Sequence, residues 1–160
     1  MLDLLHYGVR KTLKQDRPDA DARDGMDIAL CKIDLKHKLL HYSGAHRPLY
    51  LIREGELQQF KGDRKAIGGI PHPKREEKDF NNYSIEIKQG DKIFFFSDGL
   101  TDQIGGKDTR KYGPPRVREM IINNEGFTMP QFNELFSKDF EGYMGENKQI
   151  DDVLLIGIEF

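Results

Sequence analysis

Tryptophan is absent from this 160-residue chain, and cysteine occurs once, at Cys31. A single thiol excludes a disulfide framework within the chain and points to a cytoplasmic setting. Cys31 follows the apolar residues Ile28-Ala29-Leu30, so it reads as a packed thiol rather than a nucleophile. No apolar run approaches the ~20 residues of a membrane span. The N-terminus lacks the charged start and continuous apolar segment of a signal peptide. Neither sign of charge dominates: 25 Lys and Arg against 27 Asp and Glu leave a net charge of −2. That balance does not support a nucleic-acid footprint. His6, His37, His41, His46 and His72 follow no metal-ligand spacing. Gly105-Gly106 lacks the lysine and helix start of a phosphate-binding loop.

What remains is enough for one domain with a core. Leu2, Leu5, Val9 and Leu13 predict an amphipathic helix over residues 2–15. A polar, exposed loop follows from Gln15 to Gly25, with Pro18 and four aspartates. The period then shortens. Strands are predicted over Met26–Asp34, Lys38–Ser43, Pro48–Arg53 and Glu56–Phe60, with Glu54-Gly55 as a turn. A long loop runs from Lys61 to Asn82, of the kind that is a functional flap or disordered, around an ordered Ile67–Ile70 core. Its Lys61-Gly62-Asp63-Arg64-Lys65 run reads as exposed, with contact to a phosphorylated partner as the alternative. Tyr83–Lys88 and Asp91–Ser97 predict a hairpin through Gln89-Gly90. Helices are predicted over Pro115–Asn124 and Pro130–Met144, the second with an aromatic face from Phe132 to Tyr143. Val153–Phe160 is the last strand. Hairpins interrupted by two helices indicate an α+β fold with a largely antiparallel sheet.

Two acidic steps stand out. Asp98-Gly99 follows the apolar run Ile93–Phe96, and Asp151-Asp152 precedes Val153–Ile156. Each run reads as a buried strand with a carboxylate at one end. Strands side by side would bring the acids together as oxygen ligands for a hard divalent cation. Gly99 permits a sharp turn beside Asp98. Adjacent aspartates on a strand face opposite ways, so only one of Asp151 and Asp152 would meet a shared ion. Ordinary turn residues are the competing reading of both steps. Asp102 reads as a residue supporting the metal or as a helix cap.

Gly25-Met26-Asp27-Ile28-Ala29-Leu30, Tyr42-Ser43-Gly44-Ala45-His46-Arg47-Pro48-Leu49 and Ala66-Ile67-Gly68-Gly69 occur in order. Ser97-Asp98-Gly99-Leu100-Thr101-Asp102-Gln103-Ile104-Gly105-Gly106 and Gln149-Ile150-Asp151-Asp152-Val153 complete the series. The series resembles the SpoIIE-type branch of the metal-dependent protein serine/threonine phosphatases (the 2C-type, or PPM, family). The resemblance covers residues 24–160. It implies a largely antiparallel β-sandwich with flanking helices, with its N-terminal strands missing here. Residues 1–16 would be an N-terminal helix, and 24–160 a sandwich core with two inserted helices, together one partial phosphatase domain. His46 would occupy a structural turn.

The resemblance further implies hydrolysis of phosphoserine or phosphothreonine by metal-bound water. It places Asp98, Asp151 and Asp152 at the metal, with Gly99 and Asp102 in support. A complete family domain holds two Mn²⁺ or Mg²⁺ ions. The family's first ligand, an early Asp followed by Gly-His-Gly, has no counterpart before Asp24, so one ion or none is expected here. Implied partners are a phosphorylated protein such as an anti-sigma-factor antagonist and an upstream sensor domain, in bacterial signalling. Missing strands would expose sheet edges, which predicts a homodimer or a rearranged N-terminus. The alternative is a non-catalytic interaction or regulatory module that retains the fold.

Overall fold

In the computed structural model, which describes residues 1–17, 19–21, 24–70, 77–107 and 109–160, the chain divides into two compact units. The first comprises Met1–Leu49 and Phe60–Lys88, the second Tyr50–Gln59 and Gln89–Phe160. Pro18, His72 and the 71–76 part of the predicted long loop lie outside the described residues.

Helix α1 (Leu2–Thr12) opens the first unit; Leu2 and Val9 of the predicted face pack inward, but Leu5 and Leu13 do not. Leu2, His6 and Arg10 are buried, while Leu5 and Leu13 are exposed. The physical reason is polar. His6 Nδ1 accepts the Gly68 N–H at 3.1 Å, and Arg10 Nε donates to the Gly69 carbonyl at 2.7 Å. Arg10 also forks the Glu77 carboxylate, with one contact at 3.0 Å. Burial opposes ionisation of Glu77, yet the Arg10 bonds outweigh it and hold its pKa below the ordinary value. Gln15, predicted in an exposed loop, is buried, donating to Asp24 O at 2.7 Å and accepting from Gly69 N–H at 2.8 Å. Apolar periodicity cannot register such backbone groups, which demand partners once buried.

Strand β1 (Gly25–Met26) pairs antiparallel with β6 (Ile67–Gly68), so the Ile67–Ile70 segment is ordered as predicted. β2 (Ile28–Asp34), β3 (Leu39–Ala45) and β7 (Tyr83–Glu86) form a second antiparallel sheet in the order β2-β3-β7. The predicted Met26–Asp34 strand is therefore split at Asp27. The β2–β3 turn closes because His37 N–H donates to Asp34 Oδ1 at 3.0 Å, an aspartate turn. Leu2, Ala45, Ile67 and Phe80 form this unit's core with Val9, Ile28 and Leu30.

The second unit is built on the sheet β5-β4-β8-β9, with β4 at Leu49–Arg53, β5 at Glu56–Phe60, β8 at Lys92–Phe96 and β9 at Leu155–Glu159. Glu54 and Gly55 take φ of 50° and 81°, as a two-residue hairpin loop requires. The hairpin predicted through Gln89-Gly90 does not form. β7 pairs with β3, whereas β8 pairs with β4 and β9. A turn signal specifies a change of direction, not the neighbour a strand takes afterwards. β8 is apolar at four of its five positions, which suits a central strand.

Three helices complete this unit: α2 (Asp98–Asp102), which the sequence pattern did not reveal, α3 (Gly113–Asn123) and α4 (Met129–Met144). Gln131 Oε1 accepts the Thr128 N–H at 3.0 Å and so caps the start of α4. Phe132, Phe136 and Phe140 recur every fourth residue and are buried, with Phe132 4.9 Å from Phe94 between ring centroids. Each such ring contributes about 1.5–3 kcal/mol by burial. The architecture is α+β with antiparallel sheets, as predicted. Among the described residues, no helix is long and apolar enough to cross a membrane.

Asp139 on α4 accepts from Tyr112 Oη at 2.6 Å and from Arg116 Nε and Nη2 at 3.0 and 2.6 Å. Burial works against its ionisation, but the Arg116 and Tyr112 bonds prevail and lower its pKa. A depressed folded-state pKa stabilises above the ordinary carboxylate value and is lost as pH falls through the lowered one. Asp139→Asn is expected to cost about 1–3 kcal/mol at neutral pH. Thermal melts of both proteins should converge only well below about pH 4, where Asp139 becomes protonated in the folded chain as well.

Candidate functional site

Strand β8 ends at Phe96, and the chain passes through Ser97 into α2. Ser97 is extended, at φ −75° and ψ 164°, and Asp98 begins the helix as an exposed residue. Its Oδ1 accepts the Gly99 N–H at 3.2 Å. The β8–β9 ladder pairs Phe96 with Leu155, so the residues before Leu155 reach the Asp98 end of β8.

Asp151 and Asp152 do not lie on a strand, because β9 begins only at Leu155. Strand alternation therefore does not set their directions. Val153 is half-buried and Leu154 exposed, so the predicted buried strand over 153–156 is shorter and more open than its composition suggests. Both aspartates are exposed, and Asp151 Oδ1 accepts the Asp152 N–H at 2.7 Å.

Ser97 joins the two acidic segments. Its N–H donates to Leu154 O at 3.0 Å. Its hydroxyl donates to Asp152 O at 2.8 Å and accepts from Leu154 N–H at 2.9 Å. Gln103, fully buried, acts on the other side. Its side-chain amide donates to Lys148 O at 3.2 Å, and its Oε1 accepts from Ile150 N–H at 3.4 Å. Neither residue was singled out from sequence. Their only signal was adjacency to the acidic motif, since both act on backbone groups that carry no residue identity.

Gly99 has a role other than the predicted sharp turn. It sits within α2, and a Cβ there would lie 2.3 Å from Asp152 O. The absent side chain lets the two acidic segments close on each other. Asp102 closes α2 and pairs with Lys111 at 3.1 Å, both side chains substantially exposed. Such a pair contributes little to stability.

The donor chemistry of Asp98, Asp151 and Asp152 fits a hard divalent cation, which takes carboxylates and completes its shell with water. Solvent exposure of all three leaves room for that water. Among the described residues, no three metal-ligating side chains converge.

The other sequence candidates belong to the first unit. Cys31 is half-buried, and burial pushes its thiol up to about 11, which removes nucleophilic character near neutral pH. His46 takes φ 58° beside a backbone bond to Asp63, a structural turn. Asp63 accepts from Asn81 N–H at 2.7 Å, so the 61–65 segment is tied to its own unit.

The family model described as "Stage II sporulation protein E (SpoIIE)" matches residues 2–160. Comparison with curated proteins returns no match. Among solved structures, the SiaA-PP2C domain of Pseudomonas aeruginosa is similar, at 28% identity and a TM-score of 0.82 over 99% of this chain and 59% of that one. The phosphatase domain of the cell fate determinant SpoIIE from Bacillus subtilis has 15% identity and a TM-score of 0.60, covering 98% of this chain and 65% of that one. The serine/threonine phosphatase PstP/Ppp of Mycobacterium tuberculosis has 16% identity and a TM-score of 0.57, over 95% of this chain and 66% of that one. The two more distant likenesses carry the fold alone. This chain thus spans between half and two thirds of each of these domains.

Gly99→Ala should force Asp152 away and destabilise by about 1–3 kcal/mol. Gly142→Ala on α4, where a Cβ meets nothing within 4 Å, should instead stabilise by about 0.5–1 kcal/mol. Denaturant titration of the two variants measures the contrast.

Proposed function

This chain belongs to the stage II sporulation protein E (SpoIIE) family, and on that footing we propose that its acidic edge serves metal-dependent hydrolysis of phosphoserine or phosphothreonine in a partner protein. The observation that carries the proposal is the hydrogen-bonded junction of Ser97 with Asp152 and Leu154, which places the Asp98 segment against the Asp151–Asp152 segment. Asp98, Asp151 and Asp152 would hold Mn²⁺ or Mg²⁺. A divalent ion, when bound, lowers the pKa of a coordinated water and offsets charge on the phosphoryl group.

The chain's own residues bind and orient. The three carboxylates are exposed, so a phosphorylated side chain on a folded protein can approach without opening a lid. The backbone N–H groups of Gly99 and Asp152 each hold one oxygen of the preceding carboxylate, which limits its rotation. Asp102, tied to Lys111, lies at the far end of α2 and would support that helix rather than touch substrate. We assign residues 1–160 to one part of a phosphatase domain. Its substrate class would be a phosphorylated signalling protein such as an anti-sigma-factor antagonist, with an upstream sensor as regulator, in the bacterial cytoplasm.

One observation favours a second reading. The convergence of fewer than three metal-ligating side chains among the described residues suits a non-catalytic module that keeps the fold and binds protein without turnover. Hydrolysis of a small aryl phosphate with up to about 10 mM Mn²⁺ separates the two. Under the phosphatase reading, turnover depends on Mn²⁺, and Asp98→Ala and Asp151→Ala each lower it by roughly 100-fold or more. A folded chain with no turnover at any Mn²⁺ concentration favours the binding module.

A further inference from the structure

We infer that Ser97 and Gln103 are positioning residues that bracket Asp151–Asp152 and set the affinity of the acidic edge for a divalent cation. The inference rests on the metal-binding reading above and concerns what holds that site together. The difficulty it addresses is physical. A cation site needs its carboxylates held to within a fraction of an ångström. Yet Asp151 and Asp152 lie outside the β8–β9 ladder, which reaches only to Phe96 and Leu155. Exposed residues beyond the end of a ladder would ordinarily fray.

Two side chains substitute for the missing rungs. Ser97 uses both capacities of its hydroxyl at once, donating to Asp152 O and accepting from Leu154 N–H. Together with its own N–H to Leu154 O, it continues the pairing past the last rung by a side-chain route. Gln103, five residues after Asp98, grips the segment on the other side through Lys148 O and Ile150 N–H. Its full burial makes this grip costly to break, because Oε1 would lose the Ile150 N–H and the amide nitrogen would keep only Ile104 O, at 3.2 Å. Asp151 and Asp152 thus lie between two anchored points. Both anchors flank α2, the helix that Asp98 begins. A shift in either anchor changes the distance between the carboxylates without touching a carboxylate.

Ser97 is the better residue to test because it is only half-buried, whereas Gln103 supports the core. Mn²⁺ affinity of the 160-residue chain is measured by electron paramagnetic resonance of the free ion, alongside Ser97→Ala, Ser97→Thr and Asp98→Ala, with melting temperatures recorded without metal. Threonine keeps the hydroxyl and alanine removes it. The expected result is Mn²⁺ binding weakened roughly tenfold or more in Ser97→Ala and restored by Ser97→Thr. Asp98→Ala should abolish it. Should Ser97→Ala fail to fold, Ser97→Cys, similar in size but a poor hydrogen-bond donor and acceptor, takes its place in the comparison. Unchanged affinity in Ser97→Ala, with binding still lost in Asp98→Ala, overturns this inference and leaves the metal site standing. Failure of the unmodified folded chain to bind Mn²⁺ overturns both.

Discussion

Register between β8 and β9 is the constraint on which the acidic edge depends. The ladder from Lys92↔Glu159 to Phe96↔Leu155 holds two segments far apart in the chain in one alignment. A slip of one residue would turn every side chain of β9 to the opposite face and move Asp152 away from Ser97. The ladder is in turn anchored by packing. Phe94 meets Phe132, and Phe96 meets Tyr50, so β8 cannot slide without opening the aromatic core. The geometry of the acidic edge is therefore set by apolar contacts in the interior of the same unit.

The first unit uses a different balance of forces. Helix α1 is held less by its leucines than by donors and acceptors aimed at the backbone of Gly68 and Gly69. Arg10 sits nearly buried and satisfied by Glu77. A buried cation is tolerable only when paired in this way. Leu4 and Tyr7, by contrast, face solvent on the same helix. The helix is docked by hydrogen bonds whose geometry is exacting, with a small apolar core of Leu2, Ala45, Ile67 and Phe80 beneath them.

Much of the fold was legible from local pattern. Glu54-Gly55 announced its hairpin because the turn demands positive φ there. Phe132, Phe136 and Phe140 announced α4 because their spacing matches a helical turn. The acidic motifs announced candidate ligands, since Asp98 and Asp151 stand beside apolar runs. Three features were not legible. The Gln89-Gly90 signal did not say that β7 and β8 take partners in different sheets. The helix at Asp98–Asp102 is too short to show a period. Ser97 and Gln103 bind backbone atoms of residues about fifty positions away, which no local pattern records.

By itself, the sequence determined most of the segments that become strands and helices, though not the short α2, and set the carboxylates beside apolar runs. These follow from side-chain period and turn chemistry, which act over a few neighbouring residues. Only the tertiary structure decided that β8 lies between β4 and β9, that His6 and Arg10 rather than Leu5 and Leu13 are buried, and that Ser97 closes on Asp152. The reason is that backbone donors and acceptors are chemically alike at every position. Which ones meet is settled by the packing of the whole unit, not by the residues that carry them.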